Sequence, residues 1–270
     1  MDIFATGNGR TFKLTATDFE QNTCHEYPYY RISKNKKLLL YAICPGCGNP
    51  IQIINLYGAE MRQNITNKVS LYGKHTRHAV DGFKYWNKEA MENCYLYKPS
   101  SLGNTEIREN TEVSEEIKGI IERNWISIKR DIRGIVGITI PNSVIDKMYN
   151  TFMMSKAYNY KAVNKYNIPY AVLRYQPVLN FYKVYITDSP MGEVVKNAIH
   201  HKSKYFEIID NKISEKEHCK YDLGVYFVGC QKKEHKQYIE MVMYESLKTS
   251  KENKQILLKK KIEMQSWNYE

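Results

Sequence analysis

Two cysteines separated by two residues, Cys44 and Cys47 in the run Ile43-Cys44-Pro45-Gly46-Cys47-Gly48-Asn49-Pro50, are the residues of this 270-residue chain best suited to chemistry. A Pro/Gly-rich turn lets both sulfurs face one tetrahedral ion while backbone amides fold back toward the thiolates. Two ligands do not close a structural site, so a second pair must come from downstream. Before residue 200 the available side chains are His75, His78 and Cys94. The set expected first is Cys44, Cys47, His78 and Cys94, with His75 replacing either His78 or Cys94 as the alternative. Zinc is the expected ion, because a cysteine-rich tetrahedral set with a histidine is its usual surrounding.

The competing chemistry for the same pair is thiol–disulfide exchange. A redox pair has no need of His78 or Cys94 and heads a helix. Here the strand-compatible run Ile51-Gln52-Ile53-Ile54 follows instead. Six cysteines in a chain of this length, without an export signal, also do not form the framework of a small secreted protein. With apolar, strand-compatible residues from Leu38 to Ile43 and from Ile51 to Tyr57, the knuckle is expected at the tip of a hairpin. In that general form the stretch resembles zinc ribbons.

The elements that position these groups follow from pattern. Thr11 to Thr15 reads as an edge strand and Lys34-Asn35-Lys36-Lys37 as a polar turn. Residues 80–91 carry an imperfect helical stripe starting near Asp81, but a straight helix there would hold His78 and Cys94 roughly 20 Å apart at about 1.5 Å per residue. That helix must therefore be short or broken, or the ligand set must differ. The polar stretch 100–113 reads as a linker between a zinc-binding domain, 1–99, and a second domain, 114–270. In the latter, helices are expected from Ser114 to Gly134, from Pro141 onward and from Ser189-Pro190 to about His201. A strand is expected at Tyr182 to Ile186. Strand-like runs at 205–209, 221–230, 238–244 and 256–264 then suggest an antiparallel meander. The fold class expected is α+β, a zinc-ribbon-like β-rich domain followed by helices and an antiparallel sheet.

Composition bounds the function. Hydrophobic content of 43% with 26% charged residues is that of a folded chain, not a disordered one. No apolar run approaches the roughly 20 residues a bilayer span requires, and Met1 to Ala5 lack the start of a secretion signal. A cytoplasmic protein without a membrane partner is expected. The net charge is +11, with 14 Lys/Arg against 11 Asp/Glu in residues 1–113 and 26 against 18 in residues 114–270. Part of this excess comes with a general richness in Lys, Asn, Ile and Tyr. The segment Tyr29, Tyr30, Arg31, Lys34, Lys36 and Lys37 nevertheless combines basic groups for phosphate with rings for stacking, and the tail 251–261 adds further basic groups.

The expected function is therefore a non-enzymatic zinc protein that contacts nucleic acid or a nucleic-acid-processing partner. One alternative is a Mg²⁺-dependent nuclease using Glu207, Asp222 and Glu240, if strands bring these carboxylates together. Another is a protein-binding adaptor or inhibitor. His218 with Cys219, and Cys230 with His235, are too close in sequence to form a nucleophile–base pair readily. There is no glycine-rich phosphate loop.

Overall fold

The computed structural model describes residues 1–58, 70–97, 99–181, 183–216, 221–233, 236–247 and 250–269, without the side chains of 230–233 and 250–253. Helices and antiparallel sheets are mixed, an α+β fold. The chain divides into two compact units, Met1–Ser100 with Lys233–Lys236, and Ser101–Lys232 with Gln237–Glu270.

The first unit is built on one antiparallel sheet. Its strands β1 (Ile3–Ala5), β2 (Thr11–Lys13), β4 (Leu38–Ile43), β5 (Pro50–Ile54) and β6 (Tyr72–His75) run in the order β2-β1-β4-β5-β6, and β3 (Tyr30–Ile32) also pairs with β4. Strand β4 is the spine. One edge pairs with β5, while the other is shared by β3 along Leu38–Leu40 and by β1 at Ile43. Helix α1 (Ala16–Thr23) starts at Thr15, whose hydroxyl accepts from Asp18 N, and buries Phe19 against Phe4. Helix α2 is only Lys88–Glu92, capped by the Asn87 side chain. The longer helix expected over 80–91 does not form. Gly82 has a φ of +83°, and Asp81, expected to open the helix, instead accepts from Tyr27 and meets Arg31.

The second unit packs helices against two four-stranded antiparallel sheets. Helix α3 (Thr111–Val136) buries Ile117, Ile120, Ile121, Ile128, Ile132 and Ile135 along one side. It begins three residues before the expected Ser114. Asn110 is the cap, accepting from Glu112 N and Val113 N, while Ser114 is buried inside the helix. It also runs through Gly134 and ends at Gly137 in the left-handed conformation. Helices α4 (Asn142–Met154), α5 (Ile168–Arg174) and α6 (Pro190–Lys202) follow. The helices expected after Pro141 and Ser189 form, and the Ser189 hydroxyl accepts from Gly192 N.

Strands β7 (Ile138–Thr139), β9 (Tyr185–Ile186), β10 (Phe206–Ile209) and β11 (Lys212–Glu215) make one sheet in the order β10-β11-β9-β7. The meander β12 (Tyr221–Lys233), β13 (Lys236–Leu247) and β14 (Ser250–Glu263), with β8 (Leu179–Asn180), makes the other. Of the strand expected at 182–186, Tyr185 and Ile186 are in β9 and Tyr182 lies outside the described residues. Of the stretch 100–113 expected as a linker, residues 101–113 belong to this unit, with Leu102 buried in its core and the Arg108 guanidinium donating to the carbonyls of Tyr160 and Val163. No helix among the described residues is long and apolar enough to cross a membrane.

The end of the chain is fastened to α3 by a buried hydrogen bond, Tyr269 Oη donating to Asp131 Oδ2 at 2.7 Å. Burial, and then the Asp131 carboxylate, push the Tyr269 hydroxyl above its ordinary pKa, so it stays a donor throughout the neutral range. Replacing Tyr269 by Phe removes the donor and leaves a buried carboxylate oxygen unpaired. Chemical denaturation should show the variant destabilised by ~1–3 kcal/mol. An unchanged midpoint would mean that the hydrogen bond carries no net stability.

Candidate metal centre

The knuckle is the connection between β4 and β5, and its backbone accounts for its shape. Cys44 N donates to Asn49 O at 2.8 Å and Gly48 N to Cys44 O at 2.9 Å, closing a tight loop. Gly48 has a φ of +73°, which a residue with a Cβ seldom adopts. Gly46 has another reason to be glycine: a Cβ there would lie 3.2 Å from Cys94 Sγ and from the Leu96 side chain. The glycine thus admits the third cysteine.

His75 arrives by register. It is the last residue of β6 and pairs with Ile51, at the start of β5 and just beyond the knuckle. Alternation along β6 turns Gly73 and His75 inward and Lys74 to solvent. Cys94 arrives through α2, whose short length brings the chain back after Glu92, with Cys94 N donating to Met91 O. Asn49 joins the two arrivals. Wholly buried, it donates through Nδ2 to Cys47 Sγ at 3.3 Å and to Asn87 O at 3.0 Å, while its Oδ1 accepts from Asn87 N at 2.7 Å. One amide therefore holds both a ligand sulfur and the residue that caps α2.

The ligand atoms of Cys44, Cys47, His75 and Cys94 all lie within 4.8 Å of one another. Cys44 Sγ and Cys94 Sγ are 3.7 Å apart, and Cys47 Sγ and His75 Nε2 are 3.4 Å apart. A tetrahedral ion with bonds of about 2.3 Å to sulfur and about 2.0–2.1 Å to nitrogen needs separations of about 3.8 Å between sulfurs and about 3.6 Å between sulfur and nitrogen. The donor set fits a zinc-sized ion in both type and spacing. A disulfide would need sulfurs about 2.05 Å apart, and these cysteines are free. The strand β5 that follows the knuckle also departs from a thioredoxin-like pair at the head of a helix.

The electrostatics point the same way. Burial, reinforced by the neighbouring sulfurs, pushes the Cys44 thiol well up. Contacts with Cys44 and Cys94, aided by His75 and Asn49, hold Cys47 below the usual thiol range despite its partial burial. For Cys94 the contact with Cys44 lowers the pKa, but Cys47 and burial outweigh it and push it up to about 11. Burial and the neighbouring sulfurs thus favour the protonated form of Cys44 and Cys94, and Cys47 is the sulfur whose surroundings favour the thiolate. A divalent ion would bind all three as thiolates and displace the protons they carry.

Of the histidines, His75 is buried in the cluster with its ring edge-on to Tyr97, while His78 is exposed three residues beyond the end of β6. The first expectation, with His78 as a ligand, is therefore replaced by the alternative in which His75 takes its place. The strand supplies the reason: His75 is held in the ladder, whereas the chain leaves the sheet after Thr76, whose hydroxyl turns to the carbonyls of Pro50 and His78. The inward–outward alternation of Gly73, Lys74 and His75 was the signal in the sequence that separates the two histidines.

Among the described residues, no other group of three or more His, Cys, Asp or Glu side chains is placed to hold a metal. Glu207 lies on β10 in one sheet, while Asp222 and Glu240 lie on β12 and β13 in the other. Asp222 accepts from Asn180 Nδ2 at 2.7 Å, and Glu240 is opposite Lys261. The carboxylate trio of the nuclease alternative is not assembled. His218, Cys219 and His235 lie outside the described residues, as does the side chain of Cys230.

The aromatic half of the expected nucleic-acid segment is turned inward to its own unit. Tyr29 Oη accepts from Gly7 N and its ring meets Phe83 edge-on, Tyr30 packs on Phe19 and His25, and Arg31 meets Asp81. Lys34, Lys36 and Lys37 are exposed at the turn between β3 and β4. On the basic tail, Lys254, Lys259, Lys260 and Lys261 are exposed on β14, and the side chains of 251–253 lie outside the described residues.

Two measurements test the centre. In cobalt(II) titrations followed by the thiolate charge-transfer absorption, His75→Ala should weaken metal binding by about 10²-fold or more, and His78→Ala should leave it unchanged. The reverse pattern would remove His75 from the site. Competition with a chelator, corrected for the chelator's own protonation, should show zinc affinity rising with pH near neutrality, as the displacement of thiol protons requires. A flat profile would mean that the three sulfurs are not converted together.

No family model, no curated protein and no solved structure matches this chain, so its chemistry is read from the geometry of these four side chains.

Proposed function

We propose that the chain is a structural zinc protein that contacts nucleic acid without catalysing a reaction on it. The observation that carries the metal part is the convergence of Cys44, Cys47, His75 and Cys94 at separations a tetrahedral ion requires. Three sulfurs and a nitrogen complete a tetrahedral shell, so the ion would have no open position for water or substrate. Its work would be mechanical. It would join the β4–β5 knuckle, the end of β6 and the segment after α2 into one folded piece.

The basic turn between β3 and β4 supports the nucleic-acid part. Its three exposed lysines sit at the far end of β4 from the knuckle, about 20 Å from Cys44 at about 3.3 Å per residue. Zinc would act on them only through the strand it anchors. Lysines meeting phosphates would give an affinity governed by counterion release.

Fluorescence anisotropy with labelled DNA and RNA at low and moderate salt tests the reading. Binding should weaken steeply with salt, and exchanging Lys34, Lys36 and Lys37 together for Gln should reduce the magnitude of the log–log salt slope by about 2–3. DNA and RNA should stay intact on incubation with Mg²⁺ or Mn²⁺. Absence of binding to either polymer overturns the nucleic-acid reading, and cleavage overturns the non-catalytic one.

A further inference from the structure

Strands β3 and β4 form a hairpin whose tip has an unusual composition. Ile32 and Leu38 are paired across the two strands, so their side chains share one face of the ribbon. The next pair inward on that face is Tyr30 and Leu40, and Leu40 is buried in the core of the first unit. The apolar stripe therefore continues beyond the part the unit covers, leaving Ile32 77% and Leu38 50% exposed.

The turn itself is ordered. Ser33 N donates to Lys37 O, Ser33 Oγ accepts from Lys37 N, and Ser33 O accepts from Lys36 N. Around the exposed pair stand Lys34, Lys36 and Lys37, none of which meets a carboxylate among the described residues. No aspartate or glutamate occurs in residues 27–59, and of the carboxylates near the base of the hairpin Asp81 is taken by Arg31 and Tyr27, while Glu20 meets His25.

We infer that this hairpin is an arm that enters the major groove of double-stranded DNA, with Ile32 and Leu38 against thymine methyl groups and the three lysines on the flanking phosphates. The inference rests on the nucleic-acid reading above and specifies its partner. Charge complementarity selects a polyanion, and the remaining features select among polyanions.

Single strands are held mainly by bases stacking on free aromatic faces. Here the tyrosines of the segment are engaged within the unit. Duplex RNA hides its major groove, which is deep and narrow. In B-form DNA that groove is about 12 Å wide and admits a two-stranded ribbon, whereas the minor groove, about 6 Å wide, does not. Within the major groove the thymine methyl is the apolar feature an aliphatic side chain can cover. An anionic bilayer would also attract the lysines, but two aliphatic side chains at the turn, without tryptophan or tyrosine at its tip, give an interface little to hold.

The test uses the full chain loaded with zinc and four probes: a short A·T-rich DNA duplex, one of its single strands, the same duplex with every dT replaced by dU, and vesicles rich in phosphatidylserine. The duplex should bind at least about tenfold more tightly than the single strand, and the dU duplex about three- to tenfold more weakly than its dT parent. The double variant Ile32→Ser with Leu38→Ser should lose about tenfold in duplex affinity with an unchanged salt slope, because the phosphate contacts remain. Both side chains are exposed, so its zinc content and melting temperature should match those of the parent.

Equal or tighter binding of the single strand, or indifference to both the dU exchange and the double variant, overturns the groove-arm assignment while leaving nucleic-acid contact standing. Vesicle binding that depends on Ile32 and Leu38, without duplex binding, overturns it in favour of a membrane surface. Failure to bind any polynucleotide removes the underlying reading as well.

Discussion

Four ligand atoms from three separate segments must meet within a few ångströms, and the rest of the first unit is arranged so that they do. Cys44 and Cys94 are 50 residues apart in sequence and 3.7 Å apart at their sulfurs. Closing such a loop costs chain entropy, and burying thiols together gives little in return. A tetrahedral ion changes that balance. Structural zinc contributes an apparent ~10–16 kcal/mol at neutral pH in small domains that fold around it.

On the proposed reading the first unit would gain most from such a contribution. Among the described residues, its buried apolar cluster comprises ten side chains, two of them Cys44 and Cys94 themselves, whereas that of the second unit comprises 38. A small apolar cluster is the situation in which a metal or a disulfide usually supplies further cohesion. On the proposed reading the two ends of β4 then have different duties. One end is fixed at the knuckle, and the other carries an ordered turn whose lysines and aliphatic pair face solvent.

Much of this was legible in the sequence because the signals were local. The Cys-x-x-Cys knuckle between two strand-compatible runs, the polar turn at 34–37, the Ser189-Pro190 helix start and the β-rich end of the second unit all follow from neighbours within a few residues. The misreadings arose where tertiary contacts outweighed local preference. Ser114 is a good cap by type, but Asn110 caps the helix and Ser114 is buried by packing. The stripe over 80–91 has helical spacing, yet Gly82 and the Asp81 contacts with Tyr27 and Arg31 keep its first half extended or turned. Tyr29 and Tyr30 belong to a stacking-rich sequence, but the fold uses their rings and hydroxyls itself. The choice between His75 and His78 depended on a strand only four residues long, whose period was present but easily overlooked.

The central claim is that Cys44, Cys47, His75 and Cys94 together bind zinc. X-ray absorption at the zinc edge, recorded on protein prepared with zinc and freed of excess metal, tests it most directly. One zinc per chain with three sulfurs at about 2.3 Å and one imidazole nitrogen at about 2.0–2.1 Å is the predicted result. Protein that retains no zinc, or a shell dominated by oxygen, would contradict it.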